Sequence, residues 1–134
     1  MTMKTVNVLN IVSPGSGYFG GIEAYLMNYY KNMNHKRVHF DFAFCGTNTM
    51  KLHMDDAAFE GCTFTEFKSI SGEKNGPRNW LHLIRAIRNN VGSNYYDIVE
   101  VHTASPLVQA ISGIALHGVG IEKEIVRSHA MQEP

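Results

Sequence analysis

An excess of charge of one sign, paired cysteines and long apolar runs are all missing from this sequence, and each absence removes a class of function. Lysine plus arginine and aspartate plus glutamate stand at twelve each, so no overall field draws the chain onto nucleic acid or anionic lipid. Any such binding needs a local patch. The two cysteines, Cys45 and Cys62, lack the CxxC spacing of a metal or redox site, and nothing upstream resembles a secretory leader. Free thiols in a reducing cytoplasm are expected. No apolar run approaches the roughly 20 residues of a spanning helix, which leaves at most peripheral contact with the inner face of a membrane. Internal repeats, a GxSxG elbow, a phosphate loop ending in Gly-Lys-Ser/Thr and an HExxH pair are absent too.

What is present suits one folded domain over residues 1–134, with 44% apolar and 18% charged residues. Strand-like runs alternate with helical periods throughout, the pattern of an α/β domain. Strands are predicted at Thr5 to Val12, Val38 to Cys45, Cys62 to Phe67, Tyr96 to His102 and Lys123 to His129. Helical stripes are predicted through Ile22, Leu26, Tyr29 and Met33, through Trp80, Ile84, Ile87 and Val91, and through Leu107, Ile111 and Ile114. A weaker helix is expected over Lys51 to Glu60, stopped by Gly61. Ser105 and Pro106 are a good cap and first residue for the last helix. The expected fold is a Rossmann-like parallel sheet of about five strands with helices on both faces, and ligands in such sheets bind beyond the strand carboxyl ends.

The loop Ser13 to Gly21 occupies such a place, and Gly15, Gly17 and Gly20 satisfy GxGxxG. A dinucleotide site also wants an acidic residue at the end of the second strand, where this chain has Phe44-Cys45-Gly46-Thr47 and keeps Asp41 inside the strand. A flexible loop with no ligand is the plain alternative. Glu23, in the first turn of the following helix, suits the helix dipole and reads as a cap. His102 and His129 end strands; His35, His39, His53, His82 and His117 do not, and receive no role. Arg78, Arg85 and Arg88 fall broadly on one helical face, either solvated or turned to anionic lipid.

A strand, a glycine loop and then Gly20-Gly21-Ile22-Glu23 opening a helix resembles the start of the retaining glycosyltransferases of family 4. Phe40-Asp41-Phe42, Tyr96-Asp97-Ile98-Val99, His102 and Arg127-Ser128-His129 follow in the family's order, over essentially the whole chain. The resemblance implies a two-domain GT-B enzyme of bacterial polysaccharide synthesis that moves a sugar, with retention, from a nucleotide sugar to a glycan or lipid-linked acceptor. Residues 1–134 would be its acceptor-side half, truncated and inactive without the donor-binding domain, with neither metal nor cofactor required. Gly20 and Gly21 would offer N–H groups to the donor's diphosphate, His102 would act at the transferred sugar, and Thr103, Ser128 and His129 would line the cleft. Glu100 departs from the family, many of whose members have a histidine there. A nicotinamide-dependent oxidoreductase fragment and a non-catalytic flavodoxin-like binding module are the rival readings.

If the fourth and fifth strands are neighbours with level carboxyl ends, Glu100 stands beside Arg127 as a structural ion pair and His102 beside His129. Gly15 to Gly21 should be mobile without a donor, because little side-chain packing holds them. Backbone nitrogen relaxation should show lower order there than in Thr5 to Val12; equal order in the free chain would contradict this.

Overall fold

The computed structural model describes residues 4–13, 21–51, 55–68, 76–93, 96–103, 105–117 and 123–128, with Ser93 and residues 123–128 by backbone alone. In chain order these give β1 (Val6–Val12), α1 (Gly21–Lys31), β2 (Val38–Cys45), β3 (Phe64–Phe67), α2 (Pro77–Ser93), β4 (Ile98–Thr103), α3 (Pro106–Leu116) and β5 (Lys123–Ser128). All strands run parallel, in the order β3-β2-β1-β4-β5. This is the expected Rossmann-like α/β fold. Its order is the Rossmann one, with β1 central, and not the flavodoxin-like order 2-1-3-4-5.

Side chains alternate across the sheet and feed two cores. Leu9, Ile11, Ala43, Val99 and Val101 face α2 and α3, while Val8, Val12, Phe40, Phe42 and Phe44 face α1. Right-handed crossovers require this division: chain that moves outward from β1 to β2 lies on one face, and chain that moves the other way lies on the opposite face.

The helices meet the sheet slightly off the expected stripes. In α1 the inward residues are Glu23, Leu26, Met27 and Tyr30, whereas Tyr29 is 46% exposed. Glu23 rotates the helix: its carboxylate turns inward and accepts a hydrogen bond from the Thr49 hydroxyl, so a position read as polar belongs to the buried face. Tyr29 instead stacks on Tyr25 and Phe40. In α2 Leu83, Ile87 and Val91 are buried with Trp80 and Ile84 flanking; in α3 Val108, Ile111 and Ala115 are buried while Ile114 is exposed. Ser105 caps α3 as expected, accepting from the Val108 amide at 3.3 Å ahead of Pro106.

Where a helix was expected over Lys51 to Glu60, the described residues have 3-10 geometry, at Lys51 and in a turn at Ala57–Phe59. Asp56 starts it by accepting from the Ala58 amide, and Gly61 ends it with a φ of 83°, a conformation that suits glycine. Local side-chain bonding at Asp56 competes with a longer helix.

Polar side chains tie the strands where the apolar pattern breaks. Asp41 accepts from the His39 ring at 2.9 Å, the Thr63 amide at 2.9 Å and the Tyr96 hydroxyl at 2.8 Å. Asp97 accepts from the Asn7 amide at 2.9 Å, fixing the start of β4 to β1. Both free cysteines lie inside or partly inside, and burial pushes the Cys45 thiol up from 9.0 to about 12. Burial likewise raises the Tyr30 and Tyr96 hydroxyls, helped by hydrogen bonds to Cys62 and Asp41 respectively.

A group whose pKa rises on folding stabilises the fold fully below its unfolded value and loses that contribution as pH climbs to the folded value. Stability should therefore fall above pH 9, through the window to about 12 set by Cys45, with a limiting slope of about 1.4 kcal/mol per pH unit per proton. Urea unfolding across that window should give a shallower decline for Cys45→Ala. An unchanged slope would contradict the burial of this thiol.

Candidate functional site at the strand carboxyl ends

β1 and β4 are neighbours in the sheet but not in the chain, and their exits diverge, β1 toward α1 on one face and β4 toward α3 on the other. Such a reversal opens a crevice beyond the strand ends. Val12 stands opposite His102, and the Ser13 amide donates to the His102 carbonyl at 3.0 Å. The described rim comprises Ser13, the N-terminus of α1 at Gly21, Thr103 and Ser105. Gly20 and His129 lie outside the described residues, as does the rest of the glycine loop before Gly21. A Cβ placed on Gly21 would meet nothing within 4 Å. No part of the described protein requires glycine there, and Gly21 is exposed. Helix amides at such a point favour anions.

His102 is fully buried, with 0% exposure. Its Nε2 lies 3.1 Å from the Asn10 side-chain carbonyl and 3.2 Å from the Glu100 carboxylate. Both are acceptors, so Nε2 carries the hydrogen, which fixes the neutral ring as the Nε2–H tautomer. Asn10, also at 0% exposure, donates through Nδ2 to the Asp41 carbonyl at 3.4 Å and so links β1 to β2. The network Asn10, His102 and Glu100 spans two central strands on the α1 face. Glu100 is a partner of the histidine two residues after it.

The other candidate residues separate into rim and interior. Thr103 is buried and its hydroxyl accepts from the Ser105 amide at 3.0 Å, turning the chain into α3. Glu23 is 2% exposed and binds Thr49 rather than standing as a solvated cap. Ser128 ends β5 opposite Thr103.

The register of β5 corrects the level alignment on which the ion pair was expected. Arg127 stands opposite His102, and Ile125 opposite Glu100. The strands are neighbours and the faces agree, but β5 is set two residues from the level alignment, so Arg127 is diagonal to Glu100. Parallel register follows the backbone ladder and helix lengths, neither of which the polar spacing encodes. The side chain of Arg127 lies outside the described residues.

Beyond β2 the described residues include no carboxylate placed for a ribose. Asp41 is committed to three donors inside the sheet, and Glu66 of β3 accepts from the Asn48 amide at 2.7 Å. Gly46, with a φ of 128°, turns the chain there. The nicotinamide reading lacks its second anchor. Among the described residues no three His, Cys, Asp or Glu side chains converge as for a metal, and no helix is long and apolar enough to cross a membrane.

Asn10, Thr49 and Glu66 were not singled out in the sequence. Asn10 had one available signal, an amide in the centre of the otherwise apolar run Val8 to Val12. Thr49 and Glu66 reach their partners only through tertiary packing.

No family model matches the chain, and no curated protein matches it. Two solved structures of the C-terminal domain of the PF1911 hydrogenase from Pyrococcus furiosus are similar. One superposes with a TM-score of 0.62 over 95% of each chain and the other with 0.58 over 94%, both at 13% identity. At that identity the likeness establishes the fold alone.

Because Asn10 and Glu100 both lose a donor, His102→Ala should lower stability by about 2–4 kcal/mol through an unpaired carbonyl and a cavity. His39→Ala, at a half-exposed position, should cost about 1 kcal/mol. Equal losses in urea unfolding would contradict the buried network.

Proposed function

We propose that this chain is the N-terminal, acceptor-side half of a retaining GT-B glycosyltransferase, with the donor-binding domain outside residues 1–134. The observation that carries the reading is the junction of β1, β4 and α1. Among the described residues, α1 begins with an exposed Gly21 at the switch point, Glu23 is drawn inward, and no ribose carboxylate follows β2.

In this reading the α1 amides meet the leaving diphosphate of a nucleotide sugar held by the opposing domain. Negative charge grows there as the glycosidic bond breaks, and preorganised N–H groups stabilise it without reorganisation. His102 and Thr103 have no exposed surface, so they serve as positioning residues: His102 with Asn10 and Glu100 sets the height of the β4 end, and Thr103 turns the chain toward Ser105 at the cleft wall. The reading calls for no resident metal or cofactor, and takes a glycan or lipid-linked glycan as acceptor in the cytoplasm.

The reading frame encoding this chain, expressed with whatever follows Pro134, should release nucleoside diphosphate from one member of a nucleotide-sugar panel when acceptor is supplied. Residues 1–134 alone should give no turnover. Turnover by the short chain, or tight NADH binding in a fluorescence titration, would overturn the proposal.

A further inference from the structure

A second feature lies at the outer edge of the sheet, away from the β1/β4 crevice. Lys68 follows β3, the edge strand, and Arg78, Leu81, His82 and Arg85 rise along the outward side of α2, together lining a shallow groove. The spacing 78, 82, 85 places three nitrogen-bearing side chains on one helical stripe. All four are exposed, and so is Leu81, at 53%.

α2 contains no carboxylate along its 17 residues. Among the described residues, none of Lys68, Arg78, His82 and Arg85 has a hydrogen-bond or ion-pair partner. Glu66, two residues before Lys68, is held by the Asn48 amide. Arg88 shows the contrast. Its guanidinium donates to the Ala115 and Ile114 carbonyls at 3.0 and 3.2 Å, closing the C-terminus of α3. One arginine of α2 therefore has a structural task, and two converge with Lys68 on a groove where no described side chain neutralises them. In a chain of zero net charge, that local excess needs an explanation other than bulk composition.

We propose that this groove binds a phosphate group carried by a ligand with an apolar portion. Guanidinium groups present paired N–H donors that match phosphate oxygens, Lys68 adds a mobile charge, and His82 a ring nitrogen. Leu81 stands among them as the apolar contact for whatever bears the phosphate. The groove is two to three strand spacings from the crevice, about 10–14 Å, and so is separate from the α1 amides. The inference stands on charge and placement and is independent of the glycosyltransferase reading.

The source of the phosphate, soluble or lipid headgroup, is decided by two titrations of the 134-residue chain. Inorganic pyrophosphate should shift the amide resonances of Lys68 and of Arg78 to Arg85 if the groove accepts soluble phosphate. Phosphatidylglycerol vesicles should co-sediment the chain, and phosphatidylcholine vesicles should not, if it takes lipid headgroups. Either result supports the site. The Arg78→Gln/Arg85→Gln variant should weaken the positive arm about thirtyfold, at about fivefold per charge near an anionic surface, and raised salt should weaken wild type in the same arm. Arg88→Gln should lower the melting temperature and leave binding unchanged. Absence of both responses, equal capture by phosphatidylcholine, or undiminished binding by a folded double variant would overturn the proposal.

Discussion

Strand β1 is paired with β2 from Val6 to Val12 and with β4 from Val8 to Val12, and the rest of the molecule is arranged by that double pairing. A central parallel strand can be satisfied on both edges only if its neighbours arrive by crossovers, and their fixed hand sends α1 to one face and α2 with α3 to the other. The two cores follow from this division. So does the crevice, because the chain leaves β1 and β4 in opposite directions.

Burying both faces of such a sheet also restricts where polar groups can stand. Here several intrusions are answered from a neighbouring element, Asn10 by the Asp41 carbonyl and His102, Asp41 by Tyr96 and Thr63, Glu23 by Thr49, while the buried Ser112 hydroxyl has no hydrogen-bond partner among the described residues. Unanswered, each would cost roughly 1–3 kcal/mol. Answered, they hold adjacent strands at a set height. The α1-face network lies immediately beneath the strand ends, so the same bonds that make burial tolerable also fix the floor of the crevice.

The periodicities of Val38 to Cys45, of the Ser105-Pro106 start and of the strand and helix order are local, and they were legible as such. Rotations of α1 and α3 were not, because Glu23 and Ser112 are buried polar residues that a count of apolar positions assigns to the outside. Residues 51–60 carry a helical pattern that Asp56 and Gly61 interrupt through side-chain capping and a positive φ. The place of the site was readable, since strand carboxyl ends follow from alternation alone. Its interior was not: Glu100 meets His102 two residues along its own strand, while the expected meeting with Arg127 depends on a register that no residue spacing encodes.

Among the described residues the β1/β4 end combines a Gly-led helix start, an enclosed histidine network and a rim without carboxylates, and the proposed function takes it as a surface for an anion rather than for a ribose. Amide mapping of the 134-residue chain with nucleoside diphosphate sugars tests this most directly. The account predicts resonance changes clustered at Ser13, Gly21, Ile22, Thr103 and Ser105, with little change at the amino ends of the strands. Changes confined to Lys68 and α2, or absent from the strand ends altogether, would contradict it.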